Sequence, residues 1–199
     1  SSTQFWKFTI FDLSNGRIMR VYPPTEVNTT GISIAWPQMK VNCIDRALNI
    51  VYTCINRSSI VNNYVPGICL LRVNESNGVT LNYGFFSSIY SNKSTIHMLY
   101  INFPSLMLNI VNNSVYVISM GSSLTWYLVK LSINENGSLK LNWEVPVVQY
   151  VDLSWVFGRI SPMLATVNNY VTLLYSGYNN SNVLLLINDY NGSVIYREN

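Results

Sequence analysis

The chain has 199 residues, enough to bury a substantial core as one domain or as a short array of repeats, and its formal net charge is +3. Only 11% of the residues are charged, well below the ordinary share in soluble proteins. No cluster of Lys and Arg interleaves with aromatics, so a nucleic-acid partner is not expected. Alanine occurs three times and glutamate five times while Val and Ile together number 39, so strand formers dominate and the predicted class is all-β; no apolar run of about 18 residues offers a membrane span.

After a short lead containing Trp6, the first predicted hairpin runs from Phe8 to Tyr22 (FTIFDLSNGRIMRVY) and stops at Pro23-Pro24. It is a half unit, approximately residues 1–24, followed by a linker. A four-strand unit, approximately 39–88, begins at Met39 (MKVNC), turns near Asp45-Arg46, continues through LNIVYTC and closes with a hairpin from Cys69 to Tyr83 (CLLRVNESNGVTLNY). The next, approximately 100–148, opens with MLNIV, turns at Asn112-Asn113, and closes with Leu128 to Trp143 (LVKLSINENGSLKLNW). The last, approximately 158–199, opens with MLATV, turns at Asn168-Asn169, and closes with Val183 to Tyr196 (VLLLINDYNGSVIY). MLNIVNN and MLATVNN stand 56 residues apart and agree at five of seven places, so repetition is visible apart from the hairpins.

Each hairpin turns at an Asn-Gly whose glycine is Gly16, Gly78, Gly137 or Gly192. Parity selects the loop. A two-residue loop at Asn136-Gly137 would set Ile133 against Lys140, whereas a three-residue loop sets Ile133 against Leu139, Leu131 against Leu141 and Val129 against Trp143. The same rule sets Val73 against Leu81 and Leu71 against Tyr83. The prediction for the hairpins is a three-residue loop ending in a left-handed glycine, with a bulge.

Four-stranded units whose outer hairpin runs Leu131-Ser-Ile-Asn-Glu-Asn-Gly-Ser-Leu-Lys-Leu-Asn-Trp143, preceded by Val115-Tyr-Val117, resemble the blades of quinoprotein-type β-propellers. The resemblance implies a propeller-like array; no residue matches a ligand for that family's quinone or calcium, and no cofactor is expected. One hairpin and three four-strand units leave half a blade over. Either an extra strand pair is hidden in Tyr22 to Trp36, or the array is not closed, and a β-sandwich is the alternative architecture. An open array exposes edges that recruit strands from other chains. Low charge, abundant Asn, Ser and Tyr, and many glycan acceptors are also similar to glycosylated surface proteins of acid-living archaea, including thread-like filament subunits.

Eight Asn-x-Ser/Thr acceptors begin at Asn28, Asn56, Asn74, Asn92, Asn112, Asn136, Asn179 and Asn191, all at predicted turns or loops. N-linked glycans are therefore expected partners, and the location is expected to be secreted or cell-surface. The sequence opens at Ser1 with no Met and no basic, apolar leader, which is expected of a processed mature chain or of a recombinant product, and the first option fits secretion. Cys54 ends one strand and Cys69 begins the next, so the connection between them can return them to neighbouring positions. A disulfide in an oxidising compartment and a pair of buried thiols both fit.

Chemistry-bearing sets are sparse. His97 is the one histidine and cannot build a His-rich metal site, and no Gly-x-Ser-x-Gly elbow is present. The nine carboxylates sit mostly in turns, where capping explains them. The expectation is a secreted, N-glycosylated, non-enzymatic surface protein that assembles through exposed β edges; the alternative is a propeller module that binds a ligand or carbohydrate, or a fragment of a secreted enzyme.

Overall fold

Alternating runs of Val, Ile, Leu and Tyr form strands throughout, and the architecture is all-β with antiparallel sheets. The computed structural model describes residues 4–7, 9–21, 25–27, 32–57, 64–78, 80–86, 108–120, 126–148, 163–176 and 182–198. Among them no sheet closes on itself.

The first hairpin has two arms, each in two pieces. β1 (Gln4–Trp6) pairs with β4 (Thr25–Val27), and β2 (Thr9–Phe11) pairs with β3 (Ile18–Val21). The pairs run from Phe11↔Ile18 through Thr9↔Val21 to Trp6↔Thr25. Between Tyr22 and Trp36 the described residues hold β4, which pairs with β1, and the start of the next strand.

Three four-stranded meanders follow. The second sheet holds β5 (Ile32–Ile44), β6 (Ala47–Arg57), β7 (Tyr64–Asn74) and β8 (Thr80–Phe86). The third holds β9 (Leu108–Val111), β10 (Ser114–Met120), β11 (Trp126–Ile133) and β12 (Leu139–Val148). The fourth holds β13 (Met163–Val167), β14 (Tyr170–Ser176), β15 (Asn182–Asn188) and β16 (Val194–Glu198). β5 starts at Ile32, before the expected Met39, because the ladder passes from Ile34↔Cys54 to Met39↔Tyr52 across a bulge that contains Pro37. Proline conceals the continuity from a sequence-level reading.

Side-chain alternation decides how the sheets meet. Val51, Ile68 and Leu70 of the second sheet form one cluster with Val115, Val117, Val129, Leu131 and Ile133 of the third. The opposite face of the third sheet, Tyr116, Ile118, Leu128 and Trp143, packs on Val171, Leu173, Tyr175, Val183, Leu185 and Ile187 of the fourth. Ile50, Tyr52, Cys54, Cys69, Leu71 and Val73 are buried on the far face of the second sheet. The sheets therefore stack face to face, with β5 beside β9 and β8 beside β12. Each fully buried Val, Leu or Ile side chain contributes about 1.5–3 kcal/mol, so these interfaces carry far more than any exposed ion pair.

All four hairpin glycines are left-handed, with φ of 71° at Gly16, 72° at Gly78, 76° at Gly137 and 73° at Gly192. Loop length differs from the uniform three residues expected. The Glu135-Asn136-Gly137 loop does have three, closed by Asn134 N–H donating to Ser138 O at 2.9 Å and Gly137 N–H to Asn134 O at 2.8 Å. The others have four, because Gly16, Gly78 and Gly192 donate to Asp12, Asn74 and Asn188 respectively. The fourth loop residue sets Val73 against Thr80, not Leu81, and a bulge then restores Leu71↔Tyr83. In the third sheet a bulge sets Lys130 against Trp143, so Val129 pairs with Glu144. The extra residues at the bulges are Met19, Leu81, Asn142 and Ile195; Met19, Leu81 and Ile195 are all at least half exposed, at 68%, 52% and 51%.

Candidate functional site

In a four-strand meander the first and third turns lie at the same end, and here they are bonded to each other. Glu75 N–H donates to Arg46 O at 2.9 Å, Ile133 N–H to Asn113 O at 2.8 Å, and Asp189 N–H to Asn169 O at 2.8 Å. Asp45, Arg46, Asn112 and Asn168 take positive φ in the first turns, a conformation Asn and Asp tolerate better than other side-chain-bearing residues. The three sheets thereby place their Asn-rich turns along one rim.

Four of the predicted glycan acceptors lie on that rim: Asn74, Asn112, Asn136 and Asn191. Asn112, Asn136 and Asn191 are exposed and Asn74 is half-buried. In three of them the acceptor's own serine folds back onto the carboxamide. Ser138 Oγ donates to Asn136 Oδ1 at 2.7 Å and Ser193 Oγ to Asn191 Oδ1 at 2.8 Å, each with the serine N–H donating to the same oxygen at 3.0 Å. Ser76 makes the equivalent pair of bonds to Asn74 Oδ1. The oxygen is engaged, which leaves Nδ2, the atom that would carry a sugar, on the other arm of the carboxamide. Asn56 lies at the opposite end of its sheet, near the β6–β7 connection. Asn28, Asn92, Asn179 and His97 lie outside the described residues.

A second pattern on the rim was not legible in the sequence. At every junction, a donor in one unit reaches the first loop residues of the next unit's hairpin. Arg20 Nη1 donates to Ser76 O at 2.6 Å and Glu75 O at 3.5 Å. Arg72 Nη1 donates to Glu135 O at 3.1 Å. Lys130 Nζ donates to Asp189 O at 2.9 Å and pairs with its carboxylate at 2.8 Å, while Trp143 Nε1 donates to the same carbonyl at 2.9 Å. Arg20, Arg72, Lys130 and Trp143 all belong to the cross-strand pair just beyond the hairpin's bulge, on the side away from the turn. The sequence holds one signal: acids Glu75, Glu135 and Asp189 occupy the first loop position of three hairpins, where the first hairpin has Leu13.

The junction between the third and fourth sheets is the most elaborate. Tyr116 hydroxyl donates to Asp189 Oδ1 at 2.7 Å, and Lys130 Nζ lies 5.7 Å from the centre of the Tyr116 ring. Burial, and then the Asp189 carboxylate, push the Tyr116 phenol above its ordinary range. The Trp143 indole lies flat against Gly192, where an added Cβ would meet Trp143 Cδ2 at 2.9 Å. These charged groups are consumed in holding sheets together. At the first hairpin, Asp12 accepts from Ser14 Oγ and Ser14 N–H and from Asn15 Nδ2, and these bonds, that of the Ser14 hydroxyl foremost, hold its carboxyl below the usual range. Among the described residues, no group of three or more His, Cys, Asp or Glu side chains is placed to hold a metal ion.

Cys54 and Cys69 are both fully buried and are joined as a disulfide across β6 and β7, with Cα atoms 5.9 Å apart. Cys43 is free and exposed; partial burial and the neighbouring Glu75 carboxylate raise its thiol pKa. No described helix is long and apolar enough to cross a membrane. Compared with known proteins, the sequence matches no family model and no curated protein.

Proposed function

We propose that this chain is a secreted, N-glycosylated surface protein without catalytic activity, which works by assembling through open β edges with copies of itself or with another surface protein. The observation that carries the reading is the first hairpin. In the second, third and fourth sheets the first strand of the Asn-Gly hairpin is also paired on its other side, by β6, β10 or β14. The corresponding arm of the first hairpin, β1 and β2, has no second neighbour among the described strands. An unpaired arm of this kind presents N–H and C=O groups to an incoming strand.

Supporting the glycoprotein part are the three exposed acceptors on one rim, at strand ends, where sugars would leave edges and faces clear. The non-enzymatic part is supported by the structural use already made of Asp12, Asp189, Arg20, Arg72 and Lys130. The stacked four-stranded sheets are equally compatible with a propeller module, but Trp143, at 8% exposure and bonded to Asp189 O, offers no stacking platform for a sugar.

The test is to produce the full chain in a host that performs N-glycosylation and to measure its mass before and after sugar removal, and its association as concentration rises. The reading expects a mass above the 22.6 kDa of the polypeptide, lowered by Asn136→Gln and Asn191→Gln. It also expects association that is reduced by proline at Thr9 or at Ile10, since one of these adjacent positions turns its N–H away from β3. A bare polypeptide that stays a single chain would refute it.

A further inference from the structure

We propose that one water molecule is bound between Asn49 and Arg72 at the junction of the second and third sheets, as an integral part of that junction. The inference goes beyond the assembly reading and stands whether or not the chain carries sugars or associates.

Hydrogen-bonding capacity defines the site. Asn49 and Arg72 are directly opposed on β6 and β7, so their side chains share a face, that of Val51 and Leu70, which packs on the third sheet. Asn112 O can only accept, so Asn42, opposed to Asn49 on β5, presents its Nδ2 there at 2.8 Å. Asn42 Oδ1 then accepts from Asn49 Nδ2 at 3.1 Å. Both carboxamides are oriented by this chain of bonds. Asn49 Oδ1 is thereby fixed as an acceptor, and it has no protein partner among the described residues although Asn49 is fully buried. Arg72 is its complement. Arg72 Nη1 donates to Glu135 O at 3.1 Å, while Nε, which can only donate, is buried with no hydrogen-bond partner among the described residues.

One buried acceptor and one buried donor on neighbouring strands are answered together by a molecule that both donates and accepts. The guanidinium repels a cation and Asn49 Oδ1 repels an anion, whereas water donates to the one and accepts from the other. Buried waters characteristically bond polar groups that the protein itself leaves unpaired.

The next junction has the same spot filled by protein. Tyr116 and Lys130 are opposed on β10 and β11 as Asn49 and Arg72 are on β6 and β7, and Lys130, like Arg72, donates to the carbonyl of the next hairpin's first loop residue. There the Asp189 carboxylate spans the pair, accepting from the Tyr116 hydroxyl at 2.7 Å and meeting Lys130 Nζ at 2.8 Å. Two donors suit a carboxylate. An acceptor beside a donor does not, and the corresponding acid, Glu135, is exposed. The water thus takes the place that the carboxylate holds one junction later, and it completes a polar chain from Asn112 O through Asn42, Asn49 and Arg72 to Glu135 O.

A crystal structure of the full chain, at a resolution that shows ordered solvent, tests this directly. A solvent peak within about 3.2 Å of both Asn49 Oδ1 and Arg72 Nε is expected in every copy. In solution the Arg72 Nε–H proton should cross-relax with water with the sign of a long-lived bound molecule. Oxygen-17 relaxation dispersion should count one long-lived water fewer in Asn49→Leu, which removes the acceptor at similar volume. The proposal is overturned if Arg72 Nε bonds straight to Asn49 Oδ1, or if another side chain or an ion lies between them. It is equally overturned if Nε–H meets only fast-exchanging solvent, or if a folded Asn49→Leu keeps the full count. The density and the Nε–H signal are both read on the parent, so a variant that fails to fold leaves the test decisive.

Discussion

Gly192 meets two demands that Gly16 meets only in part. Both take the left-handed conformation, which costs an L-residue about 1–2 kcal/mol, but Gly16 has open space where a Cβ would go and Gly192 has the Trp143 indole at 2.9 Å. Urea unfolding should therefore separate them: Gly16→Ala loses about 1 kcal/mol, while Gly192→Ala adds an overpacking cost and loses about 3 kcal/mol in all. Equal losses would mean that Trp143 yields freely. The Asn-Gly pairs announced the turns and the sign of φ, because only local chemistry is involved. The contact between Trp143 and Gly192 was not announced, since it depends on how two sheets stack and nothing local encodes it. The same is true of Arg20, Arg72 and Lys130, whose partners lie in the following unit.

Hairpin registers were readable by parity only where one loop length held. Asp12 and Asn15, Asn74 and Asn77, and Asn188 and Asn191 are each three residues apart, whereas Asn134 and Asn136 are two apart. That spacing, more than the Asn-Gly itself, sorts the four-residue loops from the three-residue one. The prediction included a bulge but not its place: at Gly78 the bulge and the extra loop residue cancel in parity, leaving Leu71↔Tyr83 in place for a different reason, while at Gly137 the bulge stands alone and sets Trp143 against Lys130. The disulfide belongs to this scale too. Cys54 and Cys69 bracket a connection of 15 residues in separation, and closing a loop of that length in the unfolded chain is worth about 3 kcal/mol. Replacing both with Ala should lower the unfolding free energy by about 3 kcal/mol. Because both sulfurs are fully buried, reductant should lower the melting temperature of the parent only after prolonged incubation and should leave the double variant unchanged. A parent whose melting is indifferent to sustained reduction would show that the ladder between β6 and β7 suffices.

An array whose units touch only their neighbours distributes its stability according to position. The third sheet is buried on both faces, by the second sheet on one side and the fourth on the other. By contrast, the first hairpin exposes Phe11, Ile18 and Val21, and among the described residues the fourth sheet packs against another sheet on one face only. Native-state hydrogen exchange on the dilute, single chain should follow that order: β2 and β3 amides exchange first, β16 next, and β10 and β11 last. Raising the concentration then tests the assembly reading. Edge pairing slows β1 and β2 on the recipient and leaves the fourth sheet as it was. β10 and β11 keep their dilute rates, since the third sheet is packed on both faces within one chain. If β1 and β2 were already as slow as β10 and β11 in the dilute chain, their open edge would be covered within the chain and unavailable to an incoming strand.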